Sequence, residues 1–271
     1  MAQSLDFSRA KVPLQGLACD CFGVPQRRRT SCCLELPESR LKRPDLAIYN
    51  QEEEIAAGRE PTWDNPDIIA TALPPVRLMD ETLVSVRNLS SDTWAIGAQV
   101  HFSITPFGIG FERRHVASQT VSVQPSASVT LAFPLSRAVA AGDPQIGVYI
   151  EIEHPHDRNQ INNSGSQVGA VSLTSLSGRV LELDIPILNR SSFTRRITLR
   201  VLADDDVVAA VHPATRSFAP GEESTVSLRT EVPASLVATP DHGTRRSVTV
   251  VATADDGSLV GGITQLVVVD A

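Results

Sequence analysis

The residues best suited to chemistry are four cysteines near the start of the chain. They are Cys19, Cys21, Cys32 and Cys33. A structural zinc site normally takes its thiolates from Cys-x₂₋₄-Cys pairs, and the Cys-x-Cys and Cys-Cys spacings here fit that geometry poorly. Four cysteines also allow three disulfide connectivities, and a bridge between the two pairs would close this segment into a loop. Free thiols, disulfides and a metal site therefore stay open as alternatives.

Three polar segments have ligand-type side chains at spacings that favour turns. In His154-Pro155-His156-Asp157 the proline holds the two imidazoles in an extended loop at the end of a predicted strand. Asp204-Asp205-Asp206 lacks the Gly and Glu that follow at the spacing of a calcium-binding EF-hand loop. Asp255-Asp256-Gly257 is typical of a hairpin turn, because Asp-Gly favours positive φ. We predict turns at all three places, and neither a bound metal nor a cofactor.

No motif for nucleophilic catalysis is complete. Asn163-Ser164-Gly165-Ser166 approaches the Gly-x-Ser-x-Gly pattern but lacks its first glycine and a strand-to-helix context. Phosphate-binding glycine loops and His-Glu-x-x-His are missing from the sequence. The sequence therefore predicts a protein that is not an enzyme and has no catalytic residues.

Two groups of apolar side chains are candidate binding surfaces. Trp63 and Trp94 could stack on a sugar, although each also suits core or rim packing. Phe107, Ile109 and Phe111 alternate with glycines in a predicted loop between strands. If that loop is exposed, it forms an adhesive patch and a candidate contact for a protein partner; the alternative is a loop folded over the core.

The charge distribution argues against nucleic acid as a partner. Residues 1–44 contain eight basic and four acidic side chains, whereas residues 45–271 contain sixteen basic and twenty-seven acidic ones. An acidic body repels a phosphate backbone. The run Arg27-Arg28-Arg29 is short enough to be a solvated turn. Only Lys11 and Lys42 among the 24 basic residues are lysine, a bias towards arginine that suggests a bacterial source.

The sequence contains neither a recognisable Sec signal peptide nor a stretch of eighteen apolar residues. We therefore expect no transmembrane segment. We expect a location in the cytoplasm, or in a particle or assembly that is released without Sec export.

Period-two alternation of apolar and polar residues predicts β-strands from about residue 66 onwards. Ala98–Ile104 and Gly147–Glu153 are clear examples in the first half, and Val180–Ile185 and Arg196–Val201 in the second. No alternation of strands with long helices is visible, so a sandwich or barrel is favoured. The exception is residues 50–58, which predict two helical turns ending at a glycine.

An internal repeat divides the β-rich region into two copies. Asn88-Leu-Ser-Ser-Asp-Thr93 matches Asn189-Arg-Ser-Ser-Phe-Thr194 at a separation of 101 residues. The turn at Val123–Leu131 resembles that at Phe218–Leu228, 95 residues further on. Matched landmarks in the same order, at nearly one period, indicate a duplicated domain of about a hundred residues. That is the size of one immunoglobulin-like sandwich.

The first copy resembles the cell-adhesion-related bacterial domain known as CARDB. The features that carry the resemblance are Pro66-Asp67-Ile68, Val86-Arg87-Asn88, Pro125–Ser128 and Asn162-Asn163. A second Pro44-Asp45-Leu46 lies upstream, so two starting points for the domain are open. The resemblance implies a fibronectin- or immunoglobulin-like sandwich that serves as a spacer, adhesive unit or part of an assembly. Residues 168–271 resemble only a generic immunoglobulin-like module.

These observations predict an all-β protein with two tandem Greek-key sandwiches of the immunoglobulin or fibronectin type. We expect an irregular, cysteine-containing arm over residues 1–60, a CARDB-like sandwich over 61–166 and a second sandwich over 167–271, joined near Gly165–Gly169. The expected function is that of a structural or interaction subunit of a bacterial or phage-like assembly. Its partners would be proteins, in a homo- or hetero-oligomer, with the arm docking on neighbours. The alternative is a surface adhesin or carbohydrate-binding module exported by an unconventional route.

Overall fold

The computed structural model describes residues 42–72, 77–135, 145–174, 180–232 and 244–269. The four cysteines, and with them most of the predicted arm, lie outside the described residues. The first strands are β1 (Leu46–Ala47), β2 (Ile68–Ala72), β3 (Arg77–Asn88), β4 (Ala95–Pro106), β5 (Arg114–Val123), β6 (Ser128–Pro134), β7 (Ile146–Glu153) and β8 (Ser164–Thr174). They are followed by β9 (Val180–Leu188), β10 (Arg195–Ala203), β11 (Val208–His212), β12 (Thr215–Phe218), β13 (Glu223–Glu231), β14 (Thr244–Ala254) and β15 (Leu259–Val269).

Within the described residues, two short helical segments lie between strands. The helix α1 spans Gln51–Ala56, and a 3₁₀ turn spans Gln160–Asn163. Asn50 caps α1 by accepting a hydrogen bond from the Glu53 backbone N–H, and Gly58 follows the helix with φ of +72°. The helix predicted at residues 50–58 is therefore confirmed. Among the described residues, no helix has both the length and the apolar character that crossing a membrane requires.

The first sandwich packs two sheets around a core of alternating strand residues. In one sheet β3 pairs with β6 on one side and with β1 and β2 on the other, and the facing sheet runs β5-β4-β7-β8. Inward residues such as Val84 of β3 and Val100 of β4 are fully buried. Phe102 and Phe133 stack across the core with their ring centroids 5.1 Å apart. Burial of such side chains supplies the main stabilisation of a sandwich.

The second sandwich repeats this arrangement. The order β11-β13-β9 forms one sheet, and β12-β10-β14-β15 belongs to the facing sheet. The strands β9, β10, β13, β14 and β15 occupy the places that β3, β4, β6, β7 and β8 occupy in the first sandwich. The structure thus confirms the all-β fold class with two tandem immunoglobulin-like sandwiches.

One strand, β8, belongs to both sandwiches. Its first residues pair antiparallel with β7, as in Gly165 opposite Ile150, and its last residues pair parallel with β15, as in Gly169 opposite Thr264. The two facing sheets therefore form one continuous eight-stranded sheet, β12-β10-β14-β15-β8-β7-β4-β5. The sequence predicted a linker near Gly165–Gly169, whereas the structure has a paired strand there, and the predicted boundary at residue 166 falls inside it.

The chain also joins the first sandwich earlier than residue 61. Leu46 and Ile48 are fully buried in the core of the first sandwich. Leu46 lies opposite Asn88 in the pairing of β1 with β3. Residues from about 44 onwards, which the sequence prediction assigned to the arm, are therefore part of the folded body. Both of the segments considered as the start of the domain lead into strands of the first sandwich. Pro44-Asp45-Leu46 leads into β1, and Pro66-Asp67-Ile68 leads into β2.

Candidate interaction site at the junction of the two sandwiches

Trp63 ties the first sandwich to the core of the second. It precedes β2 in the chain, yet only 2% of it is exposed and it packs in the core cluster of the second sandwich. Its backbone N–H donates to Thr264 Oγ1 at 2.8 Å, and its carbonyl accepts from the Val168 N–H at 3.0 Å. A Cβ at Gly262 would lie 2.5 Å from the indole ring, so a glycine is needed beneath it.

This burial removes the pair of tryptophans as a sugar-stacking platform. Trp94 is 49% exposed just before β4, whereas the ring of Trp63 is inside the core of the second sandwich. A platform needs ring faces that a ligand can reach. The predicted interpretation of Trp63 as a core residue is the one that the structure shows.

The Phe107–Phe111 segment connects β4 to β5 and enters the second sandwich. Ile109 is 1% exposed and forms a parallel bridge with Ile187 of β9. The Ile109 N–H donates to the Pro186 carbonyl, and the Leu188 N–H donates to the Ile109 carbonyl, both at 2.9 Å. Phe107 is also buried in that core.

The segment predicted as a possible partner contact therefore docks on the second sandwich of the same chain. Phe107 and Ile109 are covered by it, and only Phe111 is left half-buried. Gly110 is required beside it, because its φ is +82° and a Cβ would overlap the Leu188 carbonyl oxygen. This explains why glycines alternate with the apolar residues here.

The helix α1 and the residues around it hold the shared strand from the other side. Gln51 Nε2 donates to the Thr62 carbonyl at 3.0 Å and to the Ser166 carbonyl at 2.6 Å. Asn50 Nδ2 donates to the Ser164 carbonyl at 2.6 Å. A Cβ at Gly165 would lie 2.5 Å from the Tyr49 carbonyl oxygen, so a glycine lets this segment approach the strand closely. The junction is thus fixed by hydrogen bonds as well as by apolar packing.

A groove of about 500 Å³ runs along the junction between the two sandwiches. Trp63 and Ile109 lie in its wall, and Arg113, Tyr149, Glu112 and Arg190 line it as polar residues. The Arg113 guanidinium lies over the Tyr149 ring, 3.2 Å from its centroid. Arg190 Nη2 lies 3.9 Å from Glu112 Oε1, and both side chains are largely exposed. The sequence did not predict this group of charged side chains, because Arg190 meets Glu112 only across the junction.

The two landmark asparagines occupy equivalent places in the two sandwiches. Asn88 Nδ2 donates to the carbonyls of Thr93 and Val123, at 2.8 and 3.1 Å. Asn189 Nδ2 donates to the carbonyls of Phe193 and Phe218, both at 3.0 Å. Each side-chain oxygen also accepts from the N–H two residues later, at 3.1 Å. Both side chains are buried, so their role is to fix a turn.

Asp157, one of the ligand-type residues, has a structural role. Its carboxylate accepts from the backbone N–H of Leu46 at 3.2 Å and of Asn159 at 3.0 Å, and the residue is buried. Burial raises the pKa of Asp157 above its usual value. His154 is half-buried and His156 is exposed in the adjacent turn, with their ring centroids 6.1 Å apart.

Asp204-Asp205-Asp206 and Asp255-Asp256-Gly257 lie in turns of the second sandwich, as predicted. The Arg246 guanidinium donates through Nε to Asp206 Oδ1 and through Nη2 to Asp206 Oδ2, both at 2.7 Å, which lowers the pKa of this carboxyl. Asp256 accepts from the hydroxyl and the N–H of Ser258, and Arg195 adds a contact at 2.8 Å. Together these donors lower the pKa of Asp256 to about 2. No group of three or more His, Cys, Asp or Glu side chains suited to a metal occurs within the described part of the chain.

A polar cluster on the outer face of β4 and β5 was not foreseen. His101 Nδ1 lies 2.8 Å from Ser118 Oγ, and the same oxygen lies 3.2 Å from His115 Nε2. His101 Nε2 lies 3.4 Å from a carboxylate oxygen of Glu153. Alternation along β4 and β5 could have placed these side chains on one face, but only the strand register brings them together. Ser118 is exposed on an open sheet, so the cluster does not enclose a reacting group.

Comparison with known proteins gives likenesses of fold alone. No family model and no curated protein match the chain. The MSP-domain-like protein SSP-19 of Caenorhabditis elegans is 8% identical over 38% of this chain and 94% of its own, with a TM-score of 0.26. Escherichia coli alpha-2-macroglobulin is 12% identical over 85% of this chain and 22% of its own, with a TM-score of 0.28.

A protein of unknown function from Porphyromonas gingivalis W83 has similar values. It is 12% identical over 70% of this chain and 92% of its own, with a TM-score of 0.27. All three likenesses have identities of 8–12% and TM-scores below 0.3. At such identities and TM-scores they carry no information on function.

Proposed function

We propose that this protein is a non-enzymatic structural or interaction subunit of a larger protein assembly. In this proposal the two sandwiches form a stiff spacer, and the N-terminal residues dock on neighbouring subunits. The observation that carries the proposal is the shared strand β8, which makes one eight-stranded sheet from both sandwiches. Domains joined by a flexible linker move independently, whereas a continuous sheet with interlocked cores transmits force and fixes the distance between its ends.

The junction supports the spacer role further. Trp63 and Ile109 from the first half are buried in the core of the second, so rotation of one sandwich against the other would expose both. Exposing two such side chains costs about 3–6 kcal/mol by their apolar area. The sequence resemblance to CARDB modules of bacteria, which implies a spacer or adhesive role, is consistent with this proposal.

The proposed contribution of the arm is electrostatic. Residues 1–44 have an excess of basic side chains and the remaining chain has an excess of acidic ones. Opposite charges on different subunits attract, and salt screens this attraction within about 10 Å at 0.1 M. Assembly through the arm would therefore weaken as salt is added.

Light scattering on the full-length protein tests this proposal. Replacing Arg27, Arg28 and Arg29 with Ser should reduce the mass of the assembly at low salt. A control with Arg196, Arg200 and Arg229 changed to Ser removes the same charge from the body and should leave assembly in place. If the arm variant assembles as the unchanged protein does, at every salt concentration, the docking role of the arm is rejected.

A further inference from the structure

The outer edges of the eight-stranded sheet differ between the two sandwiches. β5 ends the sheet in the first sandwich and β12 ends it in the second, each beside the equivalent strand, β4 or β10. β5 is ten residues long, whereas β12 has four. A strand at the edge of a sheet presents unpaired N–H and C=O groups that can pair with another chain, and a longer edge presents more of them.

The short edge β12 has the features with which proteins protect an edge. Arg216 in its middle forms an ion pair with Glu222 at 2.7 Å and also contacts Ser224. The same guanidinium lies 5.3 Å from the Phe218 ring centroid. A short strand with a charged side chain held across it is a poor template for strand addition.

The long edge β5 lacks this protection over most of its length. Its only charged residue of fixed sign is Arg114 at the first position, and from Val116 to Val123 it has neither a charged residue nor a proline. Ser118, Thr120 and Ser122 point to solvent, while Val121 and Val123 are buried against the core. Among the described residues, β5 pairs with β4 alone.

The neighbouring edge in the facing sheet is partly covered by β5 itself. Gln119 Nε2 of β5 donates to the Ala132 carbonyl of β6 at 2.6 Å. This side chain occupies an edge acceptor of β6. Of the two edges on this side of the first sandwich, β5 is therefore the more open.

We propose that β5 is a pairing edge for a second copy of this chain, which adds its own β5 in antiparallel orientation. The contact would be two-fold symmetric and would join the two eight-stranded sheets into one. This proposal goes beyond the assembly role of the arm, because it uses main-chain groups of the folded body.

The composition of β5 suits a second copy. In an antiparallel two-fold pair, the polar outward residues of one strand lie beside the polar outward residues of the other, and the buried valines share the opposite face. The two Arg114 side chains lie at opposite ends of the pair, so the one fixed charge does not meet its own copy. Main-chain hydrogen bonds are also insensitive to salt compared with exposed ion pairs.

A charge-swap experiment on the full-length protein tests the proposal. The variants S118K/T120K and S118E/T120E each place like charges opposite one another in the middle of the pair. We expect the unchanged protein to sediment as a dimer in 0.5 M salt at tens of micromolar. Each variant alone should show at least a tenfold weaker association, and an equal mixture of the two variants should recover the dimer.

The matched control is T225K/S227K, which adds the same charges at the same two-residue spacing on β13, an inner strand of the second sandwich that pairs with both β9 and β11. It should dimerise as the unchanged protein does. Circular dichroism confirms that each variant is folded. As a measurement that needs no variant, hydrogen exchange of the β5 amides should slow as the protein concentration rises.

Three outcomes would overturn the proposal: a monomer at high concentration and high salt, a dimer that the Lys and Glu variants leave unchanged, or β5 exchange independent of concentration. The Arg27, Arg28 and Arg29 variant separates the two proposals. If the arm does not dock on neighbours, the salt-resistant dimer should still form. If β5 does not pair, the salt-sensitive assembly should still form.

Discussion

The two sandwiches share a strand arrangement and differ in the side chains that each contributes to the core of the other. Both place a buried asparagine at the end of the equivalent strand, and its side-chain amide donates to a carbonyl of the following turn, five residues on at Asn88 and four residues on at Asn189. Among the residues that the structure describes, only the first sandwich contributes side chains to the core of the other, namely Trp63 and the segment that contains Ile109. The shared strand β8 also comes at the end of the first copy and forms the start of the second.

The turns and strands within each sandwich therefore depend on residues that the two copies share. The junction depends on residues that have no counterpart in the other copy. Equivalent positions follow local rules of turn and strand formation, which are the same in both copies. The residues at the junction instead make packing contacts between distant segments of the chain, and such a junction occurs once per molecule. Three sets of measurements test this difference. They concern a junction residue, the two equivalent asparagines, and two carboxyl groups whose pKa values are shifted in opposite directions.

The largest expected effect is that of Trp63→Ala. Removing a buried tryptophan leaves a cavity and lowers the free energy of unfolding by about 3–5 kcal/mol. Because Trp63 packs in the second core, we expect the second sandwich to unfold at lower urea concentration than the first. Urea unfolding followed by circular dichroism should then show two transitions in place of one.

Trp94→Ala is the control for Trp63→Ala. Trp94 is 49% exposed, and its replacement should change the free energy of unfolding by less than about 1 kcal/mol. Equal losses for the two variants, or an unchanged single transition in Trp63→Ala, would contradict the assignment of Trp63 to the junction.

A smaller and matched effect is expected for Asn88→Ala and Asn189→Ala. Each change leaves buried carbonyls without a donor, which costs about 1–3 kcal/mol. Because each amide donates to one carbonyl of its turn and to one at the end of the equivalent edge strand, the two losses in free energy of unfolding should agree within about 1 kcal/mol. Thermal and urea unfolding measure both. The exposed repeat neighbours, Leu89→Ala and Arg190→Ala, serve as controls and should change little; a large loss at only one asparagine would break the equivalence.

The smallest expected effect is on the pH dependence of the free energy of unfolding, and it has opposite signs at Asp256 and Asp157. The pKa of Asp256 is lowered from 3.8 to about 2, so its stabilising contribution is present above the unfolded value and is lost as pH falls through about 2. The pKa of Asp157 is raised by burial, so its contribution is fully present below the unfolded value and is lost as pH rises through the raised pKa.

Carbon-13 NMR of the carboxyl groups measures both titrations. We expect the Asp256 midpoint near 2 and the Asp157 midpoint above 3.8. Asp256→Asn should remove the decline in melting temperature that this group causes between about pH 4 and pH 2. Two midpoints at the ordinary value would show that neither environment is as the structure describes.

Much of the fold could be predicted from the sequence because the strand signals are local. Alternation predicted β4, β7, β9 and β10, and the structure contains each of them. The strand β8 was missed, since its run Ser-Gly-Ser-Gln-Val-Gly-Ala has the composition of a linker. Gly165 is there because the Tyr49 carbonyl approaches closely, which local sequence does not reveal.

The candidate site was predictable only in part. The spacing of Phe107, Ile109 and Phe111 with glycines marked a segment that needed an apolar partner, and the two alternatives for it stayed open. The partner is β9, about eighty residues further along the chain, and no periodicity connects the two. Arg113, Arg190 and the His101 cluster were missed for the same reason.

By itself, the sequence determined that the body is duplicated, that each copy is a sandwich of alternating strands, and that equivalent asparagines end equivalent strands. These properties depend on side-chain period and turn chemistry, which act between neighbours in the chain. Only the tertiary structure decided that Trp63 and Ile109 belong to the second core, that β8 serves both sandwiches, and that β5 forms the longer open edge. Those properties depend on contacts between distant segments, and the free energy of such contacts is set by which surfaces meet once the chain has folded.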